Sequence, residues 1–235
     1  MTADRNTAIV VGVLFIVATA APIMSFPFLQ HLQAPDYLTD ISANATDVTI
    51  GVLLELIMAL AIAGIAITIY PVLRTHNETL ALGYVAARLM ESVIFVVVAV
   101  IVLLSLLTLS REFVDAGSPD GSSFETLGGI LRTAHDWSYV VGGKIVFTIS
   151  ALILNSVLYQ SRLVPRFISV WGLLGAALLL AGGLLSMFGL LTDTSVLGTF
   201  VFLPIAVQEM VFAVWLIVKG FNPSAVAVPA ERGLE

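Results

Sequence analysis

The stretch IGVLLELIMALAIAGIAITIY, residues 50–70, decides the fold class of this chain. Only Glu55 carries a charge in a run as long as the roughly 20 apolar residues that a helix needs to cross a bilayer. The run is continuous, whereas a strand of a membrane barrel alternates apolar and polar residues. The stretch therefore predicts a transmembrane helix.

Five further apolar runs of this kind predict an all-α, polytopic membrane bundle of six helices in a single transmembrane domain over residues 1–235. Of the 235 residues, 59% are hydrophobic and 11% are charged, against roughly 25% charged residues in soluble domains. We place an extracytoplasmic loop at 110–137 and a cytoplasmic tail at 220–235. The predicted helices cover about 8–29, 49–72, 80–109, 138–160, 168–191 and 196–218.

Composition also excludes several classes of function. The chain has no cysteine, which rules out disulfides, thiolate nucleophiles and cysteine metal ligands. The net charge of −6 without a basic patch argues against nucleic acid as a partner. No Ser/His/Asp arrangement and no HExxH motif is present, so we predict no catalytic residue and no metal site. We expect the chain to lie in a lipid bilayer. The sequence does not decide whether it forms a homo-oligomer.

The first apolar run has some features of a signal peptide, since ATAAP at 18–22 resembles a cleavage site. Apolar character nevertheless continues through Phe26–Leu29, and both Asp4 and Arg5 precede the run. We expect a retained helix.

Charge asymmetry between the loops predicts the orientation. In a six-helix arrangement, the loops and termini on one side carry six basic residues. Those on the other side carry two basic residues and nine acids, Asp193 among the acids. The basic loops should be cytoplasmic, which places both termini in the cytoplasm and the protein in the plasma membrane as a multi-pass protein. The first side holds Arg5, Arg74, Arg162, Arg166, Lys219 and Arg232.

Five charged side chains lie inside the predicted helices: Glu55, Arg88, Glu91, Lys144 and Glu209. Charges at a helix centre cost about 2.5–3.5 kcal/mol each on insertion scales, so they usually face the bundle and find partners. We expect Lys144 to pair with Glu55 or Glu91, and Arg88 with Glu209 or Glu91. Three acids against two bases leave one surplus negative charge, which a proton, a cation or a positive ligand group would neutralise.

A polar seam accompanies these charges on the fourth helix. Lys144, Thr148, Ala151 and Asn155 recur at helical spacing, and Gln208 adds an amide beside Glu209. The candidate ligand-binding residues are therefore Glu55, Arg88, Glu91, Lys144, Asn155 and Glu209. Ion pairs and polar seams of this kind also serve only to hold transmembrane helices in register, and that alternative stays open.

His135 and Asp136, at the predicted outer end of the fourth helix, are candidates for a base, a metal ligand or a pH sensor. His31 lies on the same outer side. A polar start of the helix, with Asp136 as its N-cap, is the simpler interpretation.

Three phrases resemble a family of bacterial integral membrane proteins that is known only as a domain of unknown function. They are YPVLRTHNETLALGYVAARLMES (70–92), LVPRFISVWGLLGAALLLAGGLL (163–185) and LPIAVQEMVFAVWLIVKGFNP (203–223). The resemblance implies a multi-pass helical fold but no activity, substrate or cofactor. It also implies a family pattern that includes Arg88, Glu91, Arg166, Glu209 and Lys219.

From these observations we predict a non-enzymatic membrane protein with a charged interior that binds or moves a small solute, an ion or a proton. A small molecule, an ion or a lipid could be the ligand. One alternative is a structural or partner-binding subunit whose ion pairs only fix helix packing. The other is an intramembrane enzyme that uses His135 and Asp136 at the outer face.

Overall fold

The computed structural model describes residues 3–117, 121–192 and 195–226. These residues form helices and connecting turns, and no strand occurs among them. Besides the long helices there are two short α-helices, α2 (Tyr37–Ala43) and α10 (Pro223–Val226). The long α-helices are α1 (Ala3–Leu29), α3 (Ala45–Arg74), α4 (Glu78–Ile94), α5 (Ile101–Asp115), α6 (Gly121–Val140), α7 (Phe147–Ser161), α8 (Arg166–Met187) and α9 (Val196–Val218).

Six helical segments among the described residues are long and apolar enough to cross a membrane. This confirms the predicted all-α multi-pass fold. The first, second, fifth and sixth segments are built on α1, α3, α8 and α9. Helices α4 and α5 join through a π-helical segment, Phe95–Val100, and α6 and α7 join through another, Val141–Val146.

The six segments pack as a closed ring. In order around the ring, α1 contacts α3, α3 contacts α4, α4 contacts α7, α7 contacts α8, α8 contacts α9, and α9 returns to α1. Aromatic and aliphatic side chains fill the centre, with Phe15, Tyr84 and Phe212 among the largest that are fully buried. The inward faces of the helices are buried against one another. Phe26, Leu174 and many other apolar side chains are exposed on the outside, as a lipid-facing surface requires.

The basic ends of the helices meet in space. The Arg5 Nη1 donates to the Leu216 carbonyl oxygen at 2.9 Å, which joins the start of α1 to the end of α9. The Asn222 backbone N–H donates to the Leu163 carbonyl oxygen at 2.8 Å, which joins the chain after α9 to the α7–α8 turn. We call this the basic end of the bundle and the opposite one the acidic end.

Part of the predicted loop at 110–137 is helical. Helix α5 continues to Asp115, the chain turns at Gly117 with a φ of 63°, and α6 begins at Gly121. The helix forms because one face of it is apolar: Phe124 and Leu131 pack against the buried cluster that contains Leu103. Residues 118–120 of this predicted loop lie outside the described residues.

Because α6 runs through 136, Asp136 is not an N-cap, and that expectation was wrong. The third and fourth spans are 38 and 40 residues long, far more than a bilayer core of about 30 Å requires at roughly 1.5 Å per residue. Of the other predicted features, Asp193, Arg232 and the tail beyond residue 226 lie outside the described residues.

Candidate functional site

The first polar cluster surrounds Glu55 on α3, whose side chain is 1% exposed. The Tyr139 hydroxyl donates to Glu55 Oε1 at 2.8 Å, and His135 Nε2 lies 3.0 Å from the same oxygen. His135 and Tyr139 are four residues apart on α6, so both side chains project from one helix face. A buried carboxylate thus meets two groups that can share protons with it.

A route of polar atoms leads from this cluster towards solvent. His135 Nδ1 is buried without a hydrogen-bond partner among the described residues and lies 3.6 Å from Asp136 Oδ1, just beyond hydrogen-bond distance. The Asp136 side chain is 67% exposed. Asp136, His135 and Glu55 therefore lie in sequence from the surface of α6 to the interior of the bundle.

Arg88 and Glu91 form the second cluster. Arg88 Nη1 donates to Glu91 Oε2 at 2.9 Å, and both side chains are 4% exposed. The guanidinium also lies over two aromatic rings, with 5.7 Å to the centroid of Phe15 and 5.5 Å to that of Phe147. These contacts from α1 and the start of α7 hold the cation at the centre of the ring of helices by cation–π attraction.

A small void adjoins this ion pair. Its lining includes Tyr84, Arg88 and Glu209, together with the amides of Asn155 and Gln208. The space open to a water-sized sphere is about 10 Å³, which is the lower limit for holding one water molecule. Of the predicted partners of Arg88, Glu91 makes the direct contact and Glu209 faces the shared void.

Asn155 and Gln208 connect α7, α8 and α9 behind the void. Gln208 Nε2 lies 3.4 Å from Asn155 Oδ1 and donates to the Ile168 carbonyl oxygen at 3.2 Å. The Asn155 amide nitrogen donates to the Ala151 carbonyl oxygen at 2.8 Å. Gly172 makes this close approach feasible, because a Cβ there would overlap the Asn155 amide.

Lys144 has a different environment from the one we predicted. It lies in the Val141–Val146 π-helical segment, and its Nζ donates to the Ser186 hydroxyl at 3.2 Å. Glu55 takes His135 and Tyr139 in place of Lys144, and Glu91 takes Arg88. The predicted pairing of Lys144 with Glu55 or Glu91 was therefore wrong.

An aromatic contact separates the two clusters. Phe95 follows Glu91 by one helical turn, and its ring meets that of Tyr139 edge-to-face with 5.2 Å between centroids. Gly142 leaves room for this layer, since a Cβ there would lie 3.1 Å from Ile94 and 3.5 Å from Phe95. Ser92 also donates to the Ala59 carbonyl oxygen at 2.7 Å, which fixes α4 against α3 beside both clusters.

The structure thus assembles Arg88, Asn155 and Glu209 around one void, with Glu91 bonded to Arg88 beside it. Glu55 and Lys144 lie elsewhere. It also adds His135 and Tyr139, which we had not predicted as partners of Glu55. The spacing of four between them is a usable signal, but the predicted fourth helix begins at 138, which leaves His135 outside its helical period.

The described residues contain no group of three or more His, Asp or Glu side chains that could hold a metal ion. His31 Nδ1 lies 2.7 Å from Asp40 Oδ2, and its Nε2 lies 3.9 Å from Asp47. His31 and His135 therefore have separate carboxylate partners.

Residues 10–220 match the family described as "Domain of unknown function (DUF4386)". The chain belongs to this family. The match covers all six membrane-spanning helices at least in large part, so family membership and the fold agree. No curated protein and no solved structure matches the chain.

Proposed function

We propose that this membrane protein binds an exchangeable proton or a small cation in its interior, at Glu209 beside the Arg88–Glu91 pair. The observation that carries the proposal is the shared void: Glu209 and Arg88 both line it, while Arg88 is already bonded to Glu91 at 2.9 Å. One guanidinium therefore faces two carboxylates.

The charge of this group supports a bound cation. Two ionised carboxylates and one guanidinium carry a net charge of −1, and a charge inside a bilayer costs several kcal/mol on most estimates. A proton on Glu209, or a cation held by its oxygens, removes that cost. The amides of Asn155 and Gln208 lie on the same void and provide neutral oxygens for either state.

The size of the void supports an ionic ligand rather than an organic one. Sites for organic molecules usually measure about 300–1,000 Å³, whereas this space admits at most one water. A proton or a dehydrated ion fits, and an organic solute does not. The geometry thus favours the ionic part of the sequence-based hypothesis over the small-solute part.

The Glu55 cluster is a second place where a proton can reside. Its carboxylate contacts His135 and Tyr139, and the exposed Asp136 lies 3.6 Å from the other nitrogen of the His135 ring. We propose that a proton enters through Asp136 and His135 and reaches Glu55. The Phe95–Tyr139 ring contact then separates it from Glu91, so passage further inward needs those rings to move.

Infrared difference spectroscopy on purified protein tests the proposal directly. A pH step should change the C=O stretching band of a protonated carboxyl group in the unaltered protein. Glu209→Gln should remove all of that change except the contribution of Glu55. Glu78→Gln, at the exposed start of α4, is the matched control and should leave it intact.

A folded Glu209→Gln protein that keeps the full band would contradict the assignment to Glu209. Absence of any titrating carboxyl band in the unaltered protein, combined with no cation binding by calorimetry, would contradict the proposal as a whole. If Glu209→Gln does not fold, Glu209→Asp keeps the acid and should shift the band rather than abolish it.

A specific observation also favours the structural alternative. Arg88 and Glu91 form a direct pair with 2.9 Å between the bonded atoms, which suits a contact that fixes helix packing. The two functions differ in proteoliposomes. Under a pH gradient, a proton-moving protein dissipates the gradient faster than Glu209→Gln does, whereas a purely structural subunit shows no difference between them.

A further inference from the structure

A groove at the basic end lies between two turns of the chain. The α7–α8 turn forms one wall, and the chain between α9 and α10 forms the other. Asn222 joins the walls, since its backbone N–H donates to the Leu163 carbonyl oxygen at 2.8 Å and its side-chain amide to that of Arg162 at 3.3 Å. Leu163 and Phe221 anchor the turns in the buried core. The two walls of the groove are therefore held in place by hydrogen bonds and by buried side chains.

The groove is large and open. Its volume is about 570 Å³, within the range of about 300–1,000 Å³ that small-molecule sites occupy. It is far larger than the interior void beside Arg88, and its ligand is independent of the proton or cation proposed there.

Three cations line the groove: Arg162, Arg166 and Lys219. All three are exposed, and among the described residues none of them forms an ion pair with an acid. The groove lining within the described residues contains no Asp or Glu. Uncompensated positive charge concentrated in a concave site attracts an anion.

The Arg166 guanidinium is already oriented. It lies over the Tyr159 ring, with 4.8 Å to the centroid. Arg162 has a left-handed backbone with φ of 56°, which ends α7 and turns the chain towards α8. These features place two guanidinium groups at the ends of neighbouring membrane helices, where the planar fork of Arg suits phosphate oxygens.

The groove opens at the level where a lipid headgroup lies. Arg166 begins one apolar helix and Lys219 follows another, so both cations sit at the boundary of the spans. Trp215, a residue type typical of this interface, also lines the groove. The neighbouring side chains Phe167 and Val218 are 58% and 62% exposed, which provides apolar surface for acyl chains.

We infer that this groove binds the phosphate headgroup of an anionic membrane lipid, with Arg162, Arg166 and Lys219 as its ligands and the acyl chains along Phe167 and Val218. Basic pockets between transmembrane helices recognise headgroups of this kind. The same phosphate chemistry could come from free inorganic phosphate, and the experiment separates the two sources.

Native mass spectrometry of delipidated protein in detergent measures the binding. Phosphatidylglycerol, phosphatidylcholine and inorganic phosphate are added separately. We expect phosphatidylglycerol to bind more tightly than phosphatidylcholine, and inorganic phosphate to bind weakly. Each basic residue near a membrane surface contributes about fivefold to binding of anionic lipid, so the variant R162Q/R166Q/K219Q should bind phosphatidylglycerol about a hundredfold more weakly.

The matched control is R74Q/R111Q/R132Q, which removes the same charge from residues outside the groove lining. It should bind phosphatidylglycerol within a few-fold of the unaltered protein. Equal binding by the groove variant and this control would overturn the inference. So would equal affinity for phosphatidylcholine, or binding of inorganic phosphate without binding of phosphatidylglycerol. If the triple variant does not fold, Lys219→Gln alone should weaken binding about fivefold.

Discussion

Substitution of Gly172 tests how α7 and α8 position the polar residues of the void. The added Cβ of Gly172→Ala would overlap the Asn155 amide. That amide is buried, bonded to the Ala151 carbonyl oxygen at 2.8 Å and adjacent to Gln208 Nε2 at 3.4 Å. The methyl group can be accommodated only if Asn155 rotates away or the two helices separate.

The cost follows from three contributions. Overpacking a buried site costs about 1–3 kcal/mol, and loss of one interhelical hydrogen bond in a membrane protein costs about 0.6 kcal/mol on average. Ala is more favourable than Gly inside a helix by about 0.5–1 kcal/mol, which offsets part of this. We expect Gly172→Ala to lower the free energy of unfolding by about 1–3 kcal/mol.

Unfolding by SDS in mixed micelles, followed by far-ultraviolet circular dichroism, measures that free energy. Gly83→Ala on α4 is the matched control, because its Cβ would meet only Ile153 Cδ1 at 3.5 Å, an ordinary contact. It should be neutral or stabilising by about 0.5 kcal/mol. A Gly172→Ala protein as stable as the Gly83→Ala protein would refute the reasoning.

A double-mutant cycle locates the clash. In an Asn155→Ala background the obstructing amide is absent, so Gly172→Ala should cost close to nothing. The coupling free energy should equal most of the single-mutant cost, about 1–3 kcal/mol. Additive effects would show that Asn155 does not limit the approach of α8.

Three further predictions use the same unfolding measurement. Arg88→Met should destabilise the protein by about 3–5 kcal/mol because it leaves Glu91 buried without its partner. Arg88→Met combined with Glu91→Leu should recover most of that loss. Equal losses of stability in the two variants would contradict this reasoning. Tyr139→Phe removes one hydrogen bond to Glu55 and should cost about 0.6–1.7 kcal/mol, and an unchanged midpoint would show that the bond contributes nothing. Burial lowers the pKa of His76, in the α3–α4 turn, below its usual value of 6.5. As the pH drops, the unfolded state therefore binds a proton before the folded state does, and stability should fall below about pH 6.5. His76→Gln should reduce the dependence of stability on pH, and an unchanged dependence would exclude His76 as its source.

The sequence by itself determined the fold class and the number of membrane spans. A continuous apolar run such as residues 50–70 crosses lipid as a helix, because a helix satisfies its backbone hydrogen bonds within the segment. The sequence also identified the charged residues of the interior, since a residue such as Glu209 is costly inside a bilayer wherever its partner lies. Both results depend on local composition alone.

Only the tertiary structure decided which of these charges meet. Glu55 and His135 are bonded at 3.0 Å although they lie 80 residues apart, and their contact depends on how α3 and α6 pack. The partner of Glu55 is therefore His135 rather than Lys144, a choice that depth along separate helices could not make. The sequence gives the depth of a side chain along its own helix. Which side chains pair depends also on how each helix is rotated and on which helices lie beside it, and the packing of the core fixes both.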